Sequence, residues 1–151
     1  MPDIDRIQSA RDSGEENGGT MEKRSIMVVD DNRDMVTVVK ALLESAGYSV
    51  QCAHSANEMF TQLEQQKPDL IVLDVMMPEM DGVQALVRLK DGSTTSLIPV
   101  LLLTAKCRYE DVLEGYKVGA DYYITKPFTS TQLIHGIHLL LGPSNPGLLH
   151  A

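Results

Sequence analysis

Five short apolar runs, alternating with amphipathic segments, constrain the fold of this chain more than any other feature of its sequence. Continuous apolar runs of this length are typical of parallel strands that are buried on both faces. Parallel strands need long crossovers, and a helical pattern follows each run. The runs occupy residues 26–29, 48–52, 70–73, 100–103 and 122–124. We therefore predict an α/β fold in which a doubly wound five-stranded parallel sheet carries five helices.

Polar residues at the expected helix starts support this alternation. Asn32 or its neighbour is the predicted cap of the first helix, since a side chain of this kind can accept a hydrogen bond from a free backbone N–H group. Ser55 with Glu58 predicts a capping box at the second helix, and Thr129 with Gln132 predicts one at the last. Each box satisfies two backbone donors of the first turn, so these pairs mark where helices begin.

The fourth helix is predicted over residues 109 to 118, with Gly119 ending it. Val112, Leu113 and Tyr116 recur at helical spacing within this segment. We expect these three side chains to point inward.

The length of 151 residues fits one domain with tails, and it suffices for a sizeable core. Residues 1–23 are polar and contain too few apolar groups to offset the entropy of ordering, which predicts a disordered arm. Residues 143–151 begin with a Pro and Gly cluster and are predicted to be a flexible tail. The domain is therefore expected at residues 24–142.

Charge and cysteine content narrow the class of function. The formal net charge of −8 argues against direct nucleic-acid binding, which requires a basic face. Cys52 and Cys107 make no disulfide framework, so a reducing cytoplasm is the expected location. A bilayer span needs about 20 apolar residues, and the sequence contains no such stretch, so no membrane association is expected.

Ionisable or hydroxyl side chains follow four of the five runs. Asp30 and Asp31 follow the first run and Asp74 follows the third, while Thr104 and Lys126 follow the last two. In an open parallel sheet, ligands bind at the carboxyl ends of the strands. We expect three carboxylates, a hydroxyl and an ammonium group to converge there.

Crowded carboxylates repel one another and require a cation or protons at neutral pH. The pair Asp30 and Asp31 alone would suggest a loop or a helix cap, but Asp74 at a matching strand end favours a cation site. Mg²⁺ with oxygen ligands suits such a set. Asp74 is the candidate nucleophile, because a carboxylate can attack phosphorus when the phosphoryl charge is neutralised.

Four motifs, in order, resemble the receiver domain of two-component response regulators. The intervals from Asp31 to Asp74, on to Thr104 and on to Lys126 are 43, 30 and 22 residues, close to the usual spacing of that family. The resemblance implies a flavodoxin-like fold with strand order 2-1-3-4-5. The motifs occupy residues 28–32, 74–82, 103–105 and 126–128.

The resemblance also implies a role for each acidic residue. Asp74 would accept a phosphoryl group from a histidine kinase or a histidine phosphotransfer protein. Asp31 and Asp74 would bind Mg²⁺ directly and Asp30 mostly through water, while Met76 would contribute its backbone carbonyl. The chain would then be a phosphoacceptor that catalyses its own modification rather than an enzyme with a separate substrate.

The resemblance assigns phosphate binding and the conformational switch to residues in and near the later two motifs. By resemblance, Thr104, Ala105 and Lys126 bind the attached phosphoryl group, and Tyr123 is the switch aromatic. The fourth helix, last strand and last helix would then change their surface and signal to a downstream protein partner or output domain. Pro127 can take a cis bond that aims Lys126 toward the site, although the sequence leaves the isomer open.

Two departures from the family pattern affect function. Residues 133–138 of the last helix contain no Arg, Lys, Asp or Glu, which disfavours the charged dimer of winged-helix members. We expect a monomer or a weak phosphorylation-dependent dimer. Met76, two residues beyond Asp74, is apolar and is expected to hinder the hydrolytic water, which predicts slow self-dephosphorylation.

Three other classes remain as alternatives. A phosphatase or phosphotransferase with the same aspartyl chemistry would need an acid-base aspartate where Met76 stands. A phosphate-independent binding module would be favoured by loss of Asp31, Asp74, Thr104 or Lys126, and none is lost. A flavin protein of the same fold would need a Ser, Thr and Gly-rich loop after the first strand, which the sequence lacks.

Overall fold

The computed structural model describes residues 23–142, which form five strands and five helices in strict alternation. Apart from Lys23, the predicted N-terminal arm and C-terminal tail lie outside the described residues and stay predictions. The elements are β1 (Ser25–Val29), α1 (Arg33–Ser45), β2 (Ser49–Ala53), α2 (Ala56–Gln65), β3 (Leu70–Leu73), α3 (Gly82–Asp91), β4 (Val100–Thr104), α4 (Tyr109–Lys117), β5 (Tyr122–Thr125) and α5 (Ser130–Leu141).

The sheet is parallel throughout, with strand order β2-β1-β3-β4-β5. This confirms the predicted fold and the order that the resemblance implies. Val29 at the end of β1 pairs with Ala53 of β2 on one side and Leu73 of β3 on the other. The residues that follow β1 and β3 therefore leave the sheet side by side.

Alternation along the strands divides the core into two clusters. Ile26 and Val28 pack with α1 and α5, whereas Met27 and Val29 pack on the opposite face with α2 and α3. Both clusters contain side chains with essentially no exposed surface. Because both faces of the sheet are covered, the strands read as continuous apolar runs in the sequence.

Three of the helix caps test the predicted start signals. Asn32 accepts from the Met35 N–H group, and Thr129 with Gln132 forms the complete box that was predicted. The Ser55 box is wrong in one half, because the Glu58 carboxylate accepts from the His54 N–H group at 2.8 Å. Ser55 is more extended than the Thr129 cap, with φ −158° against −98°.

Helix α4 departs most from its predicted packing. Leu113 and Tyr116 were expected to point inward, and they are 46% and 44% exposed. Val112 is half-buried, and the buried residue of this helix is Gly115. The helix ends before Gly119 as predicted, and Gly119 has φ +115°. The inward side of α4 is thus marked by a glycine, which carries no hydrophobic signal.

Within residues 23–142, the helices are all too short or too polar to traverse a lipid bilayer.

Candidate phosphoacceptor and cation site

The carboxyl ends of β1 and β3 bring three carboxylates together. Oxygen atoms of Asp30, Asp31 and Asp74 all lie within 4.8 Å of one another. Asp30 and Asp74 are buried, with 4% and 6% of their surface exposed, whereas Asp31 is exposed. The structure therefore assembles the acidic cluster that the strand ends predict.

Lys126 supplies positive charge to this cluster from the loop after β5. Its Nζ atom lies 2.7 Å from Asp30 Oδ2 and 3.6 Å from Asp74 Oδ2. Its backbone N–H group donates to the Thr104 carbonyl oxygen at 2.8 Å, and the Lys126–Pro127 bond is cis. The ammonium group is thus shared by both buried aspartates and lies closer to Asp30.

The side chains at the strand ends are held by the same kind of turn. Asp30 Oδ1 accepts from the Asn32 N–H group at 2.9 Å, and Asp74 Oδ1 accepts from Met76 at 3.2 Å. Thr104 Oγ1 accepts from the Lys106 N–H group at 3.3 Å. Asp and Thr side chains commonly accept from the backbone two residues on, which fixes their direction locally.

Burial raises the pKa of the Asp74 carboxyl above its ordinary value, and the charge of Asp30 raises it further. A hydrogen bond from Thr104, the charge of Lys126 and the Met76 N–H group act in the opposite direction. Burial and the charge of Asp30 outweigh these groups, so the protonated form of Asp74 is favoured more than in a free aspartate.

Gly82, the first residue of α3, allows this helix to pack directly on the loop that follows β3. A Cβ atom at Gly82 would lie 2.3 Å from the Asp74 carbonyl oxygen and 2.6 Å from Val75 Cα. The Gly82 N–H group donates to the Val75 carbonyl oxygen at 2.8 Å. The Asp81–Gly82 pair in the sequence predicts a helix start, but this close backbone contact is visible only in the structure.

The donor set fits Mg²⁺. This ion prefers carboxylate and carbonyl oxygens at about 2.0–2.1 Å, so opposite ligands lie about 4 Å apart. The carboxylate oxygens of Asp30, Asp31 and Asp74 lie within 4.8 Å of one another, which is close to this spacing. Met76, whose backbone carbonyl was predicted as a ligand, lies in the same loop with its side chain 53% exposed.

Tyr123 lies on β5 beside the loop that begins with Ala105. Its hydroxyl donates to the Lys106 carbonyl oxygen at 2.8 Å. Burial, followed by the negative charge of Asp111, raises the pKa of Tyr123 to about 12. Tyr122, the preceding residue, packs against the core cluster on the other face of the sheet, as strand alternation predicts. Tyr123 is therefore linked to Thr104 through the backbone of Lys106.

Comparison with known proteins agrees with this geometry. The family model described as "Response regulator receiver domain" matches residues 26–138. The phosphate regulon transcriptional regulatory protein PhoB of Pseudomonas aeruginosa is 36% identical over 124 residues, which cover 82% of this chain and 54% of PhoB. The alkaline phosphatase synthesis transcriptional regulatory protein PhoP of Bacillus subtilis is 41% identical over 110 residues, which cover 73% of this chain and 45% of PhoP.

Solved structures give the same result. The chemotaxis protein CheY4 of Vibrio cholerae has a TM-score of 0.75 at 29% identity, covering 80% of this chain and all of CheY4. The receiver domain of a histidine kinase from Syntrophus aciditrophicus has a TM-score of 0.72 at 37% identity. The match covers 79% of this chain and 91% of that domain. The chain spans about half the length of the curated relatives it matches. Since the family model matches well over half of the sequence, this chain belongs to the family of response regulator receiver domains.

Proposed function

We propose that Asp74 accepts a phosphoryl group from a phosphohistidine of a histidine kinase or a histidine phosphotransfer protein, in a reaction that requires Mg²⁺. The observation that carries the proposal is the cluster of Asp30, Asp31 and Asp74 oxygens within 4.8 Å, two of these residues being buried. Three crowded carboxylates exceed the single positive charge of Lys126, and a bound divalent cation would neutralise the excess.

The transfer step needs little covalent chemistry from the protein. A carboxylate oxygen of Asp74 attacks phosphorus, the bond from phosphorus to the imidazole nitrogen breaks, and its electron pair returns to the histidine ring. Mg²⁺, when bound by the acidic residues, neutralises the charge of the phosphoryl oxygens. Lys126 assists, since its Nζ atom is 3.6 Å from Asp74 Oδ2.

The modified state is recognised by groups that flank Asp74. Lys126 is already within reach of the aspartate, and the Thr104 hydroxyl contacts the Asp74 carboxyl. We assign phosphate binding to these side chains and to the backbone of Ala105. Mg²⁺ ligands are assigned to Asp31, Asp74 and the Met76 carbonyl, with Asp30 acting through water.

The readout surface is assigned to α4, β5 and α5. Tyr123 connects this surface to Thr104 through Lys106, and we assign the inward ring, whose hydroxyl binds the Lys106 carbonyl oxygen, to the state that modification of Asp74 favours. Tyr109, Leu113 and Tyr116 of α4 are exposed apolar groups that a partner protein or output domain can cover. Phosphorylation biases the two states only through contacts that differ between them.

The partner proposals follow from charge and from the relatives. One relative, RpaA of Synechocystis, is named a DNA-binding regulator, and this chain covers 48% of its length. We propose that this chain does not itself contact nucleic acid, since its net charge is −8. Helix α5 carries no Asp, Glu, Lys or Arg, which supports a monomer or a weak phosphorylation-dependent dimer. Free Cys52 and Cys107 fit a cytoplasmic location.

Intact-protein mass after incubation with acetyl phosphate and Mg²⁺ tests the proposal. We expect one added phosphoryl group, which is lost with a chelator and in Asp74→Asn. Asp69→Asn serves as a matched control, because Asp69 lies at the other end of β3 and binds Ser25. If no adduct forms and beryllofluoride with Mg²⁺ also leaves the protein unchanged, the chain is a phosphate-independent binding module.

A further inference from the structure

Two adjacent tyrosines of β5 each rest against a helix glycine, on opposite faces of the sheet. A Cβ atom at Gly136 of α5 would lie 2.9 Å from two ring carbons of Tyr122. A Cβ atom at Gly115 of α4 would lie 2.9 Å from Tyr123 Cε2 and 3.0 Å from Tyr123 Cδ2. Separations this short do not persist between carbon atoms, so a side chain at either glycine displaces the ring or the helix.

The two rings differ in the space around them. Tyr123 borders a cavity of about 220 Å³ that also contacts Val75 and Lys106, on the side of the phosphoacceptor. It also borders a second cavity of about 250 Å³ between α4 and α5, which Tyr122 shares. The Tyr123 ring therefore has free volume on both sides of its contact with Gly115.

One hydrogen bond holds the ring in the present position. The Tyr123 hydroxyl donates to the Lys106 carbonyl oxygen at 2.8 Å, and the Lys106 N–H group donates to Thr104 Oγ1 at 3.3 Å. The ring can lie in this position because Gly115 leaves the α4 backbone open to it. The Tyr116 ring, 6.4 Å away between centroids, restricts the space further along the same helix.

We propose that Gly115 is a positioning residue for the switch. Its missing Cβ permits the inward position of Tyr123, in which the hydroxyl binds Lys106, and a methyl group there moves the ring toward the cavity beside α5. This inference rests on the proposed role of Tyr123 as the residue that responds to modification of Asp74. Gly115 does not contact the reacting atoms and acts only through the tyrosine.

The test uses the full chain labelled with 3-fluorotyrosine, with the Tyr123 ¹⁹F resonance assigned from Tyr123→Phe. In Gly115→Ala we expect that resonance to shift to an outward position, with the ratio of inward to outward rings reduced roughly tenfold, as overpacking of this size implies. Addition of beryllofluoride and Mg²⁺ then restores the inward position only in part. Mass analysis should still show the Asp74 adduct, because Gly115 lies outside the reacting site.

Gly136→Ala is the matched control. It places a Cβ atom at the same 2.9 Å from a neighbouring tyrosine, but on the opposite face of the sheet. We expect a comparable loss of thermal stability with the Tyr122 resonance shifted and the Tyr123 resonance unchanged. A Tyr123 shift as large in Gly136→Ala as in Gly115→Ala would overturn the inference, since it would show a general effect of loosened packing.

Leu102 provides a second check, because a Cβ atom at Gly115 would also lie 3.0 Å from Leu102 Cδ1. Adding Leu102→Val to Gly115→Ala removes this contact, and it also replaces the single variant if that variant does not fold. The inference holds if the double variant keeps the Tyr123 shift relative to Leu102→Val alone, and fails if the shift disappears.

The proposed function and this inference fail differently. A wild-type Tyr123 resonance that responds to beryllofluoride, with an identical resonance and response in Gly115→Ala, contradicts only the role of Gly115. A wild-type resonance that ignores beryllofluoride while the mass adduct forms removes Tyr123 as the switch, and Gly115 with it. Absence of both the adduct and the response contradicts phosphoryl acceptance itself.

Discussion

The two ends of the parallel sheet use carboxylates in opposite ways. At the amino ends of the strands, Asp121 Oδ2 accepts from the Val100 N–H group at 2.8 Å and pairs with Lys90 at 3.1 Å. Asp69 Oδ2 accepts from the Ser25 N–H group at 2.7 Å. Each of these carboxylates joins two elements and satisfies a backbone donor, so each contributes to stability.

At the carboxyl ends, the carboxylates are crowded instead. Asp30 and Asp74 are buried beside each other and share the ammonium of Lys126, with Asp31 nearby. Burial and the charge of Asp30 raise the Asp74 pKa, which means that the charged form is disfavoured in the folded state. The same residue type therefore satisfies backbone donors at one end of the sheet and is crowded at the other, where the charged form of Asp74 is disfavoured. The crowded end is the proposed phosphoacceptor site.

The largest effect is expected when Lys126, whose ammonium group is shared by Asp30 and Asp74, is replaced. Lys126→Ala should lower the rate of adduct formation with acetyl phosphate about 100-fold, because one positioned electrostatic group at a reacting centre has this order of effect. The measurement is the time course of intact mass. Lys117→Ala, which removes an exposed lysine from α4, should leave the rate within twofold. Equal rates in both variants would mean that Lys126 does not act on the phosphoryl group.

A smaller effect is expected at Met76, whose backbone N–H group donates to Asp74 Oδ1 and whose side chain is exposed. Met76→Asn should shorten the lifetime of the aspartyl phosphate several-fold, since a polar side chain admits and orients water where methionine hinders it. Decay of the adduct mass after removal of the donor measures this lifetime. An unchanged lifetime would refute the proposed shielding by Met76.

The smallest effect appears only at high pH. The pKa of Tyr123 is raised from 10 to about 12 in the folded state, so the unfolded chain loses this proton first. Stability from the neutral phenol is therefore complete below pH 10 and is lost as the pH rises toward 12. Tyr123→Phe should flatten the fall in unfolding free energy over this range, measured by urea denaturation. The same slope in both proteins would show that Tyr123 ionises at an ordinary pKa.

The apolar runs predict the sheet because both of its faces are covered. The second run is placed one residue early, at 48–52 instead of Ser49–Ala53. Tyr48 lies outside the strand and is only 1% exposed, so its hydrophobicity indicates burial of the side chain and not backbone pairing in the sheet.

For α4, the hydrophobic pattern predicts that Leu113 points inward, whereas Gly115 faces the sheet. Hydrophobic periodicity cannot reveal a contact made by a residue without a side chain.

The acidic cluster was predictable because parallel strands place their carboxyl ends together. Asp30 and Asp74 follow β1 and β3, which are neighbours in the sheet. Two details were not predictable. Lys126 lies closer to Asp30 than to Asp74, and Tyr123 binds the backbone carbonyl of Lys106. Both depend on loop geometry and on backbone atoms, which carry no signal in the sequence.

The most direct test compares the melting temperatures of Asp74→Asn and Asp121→Ala at pH 7 in chelator. Because the raised Asp74 pKa disfavours the charged carboxylate in the folded state, Asp74→Asn should melt above wild type. Asp121→Ala leaves the buried Val100 N–H group without its acceptor and should cost about 2 kcal/mol, a fall on the order of 8 °C. A fall of similar size in both variants would contradict the account, because the carboxylates at the two ends would then have the same role.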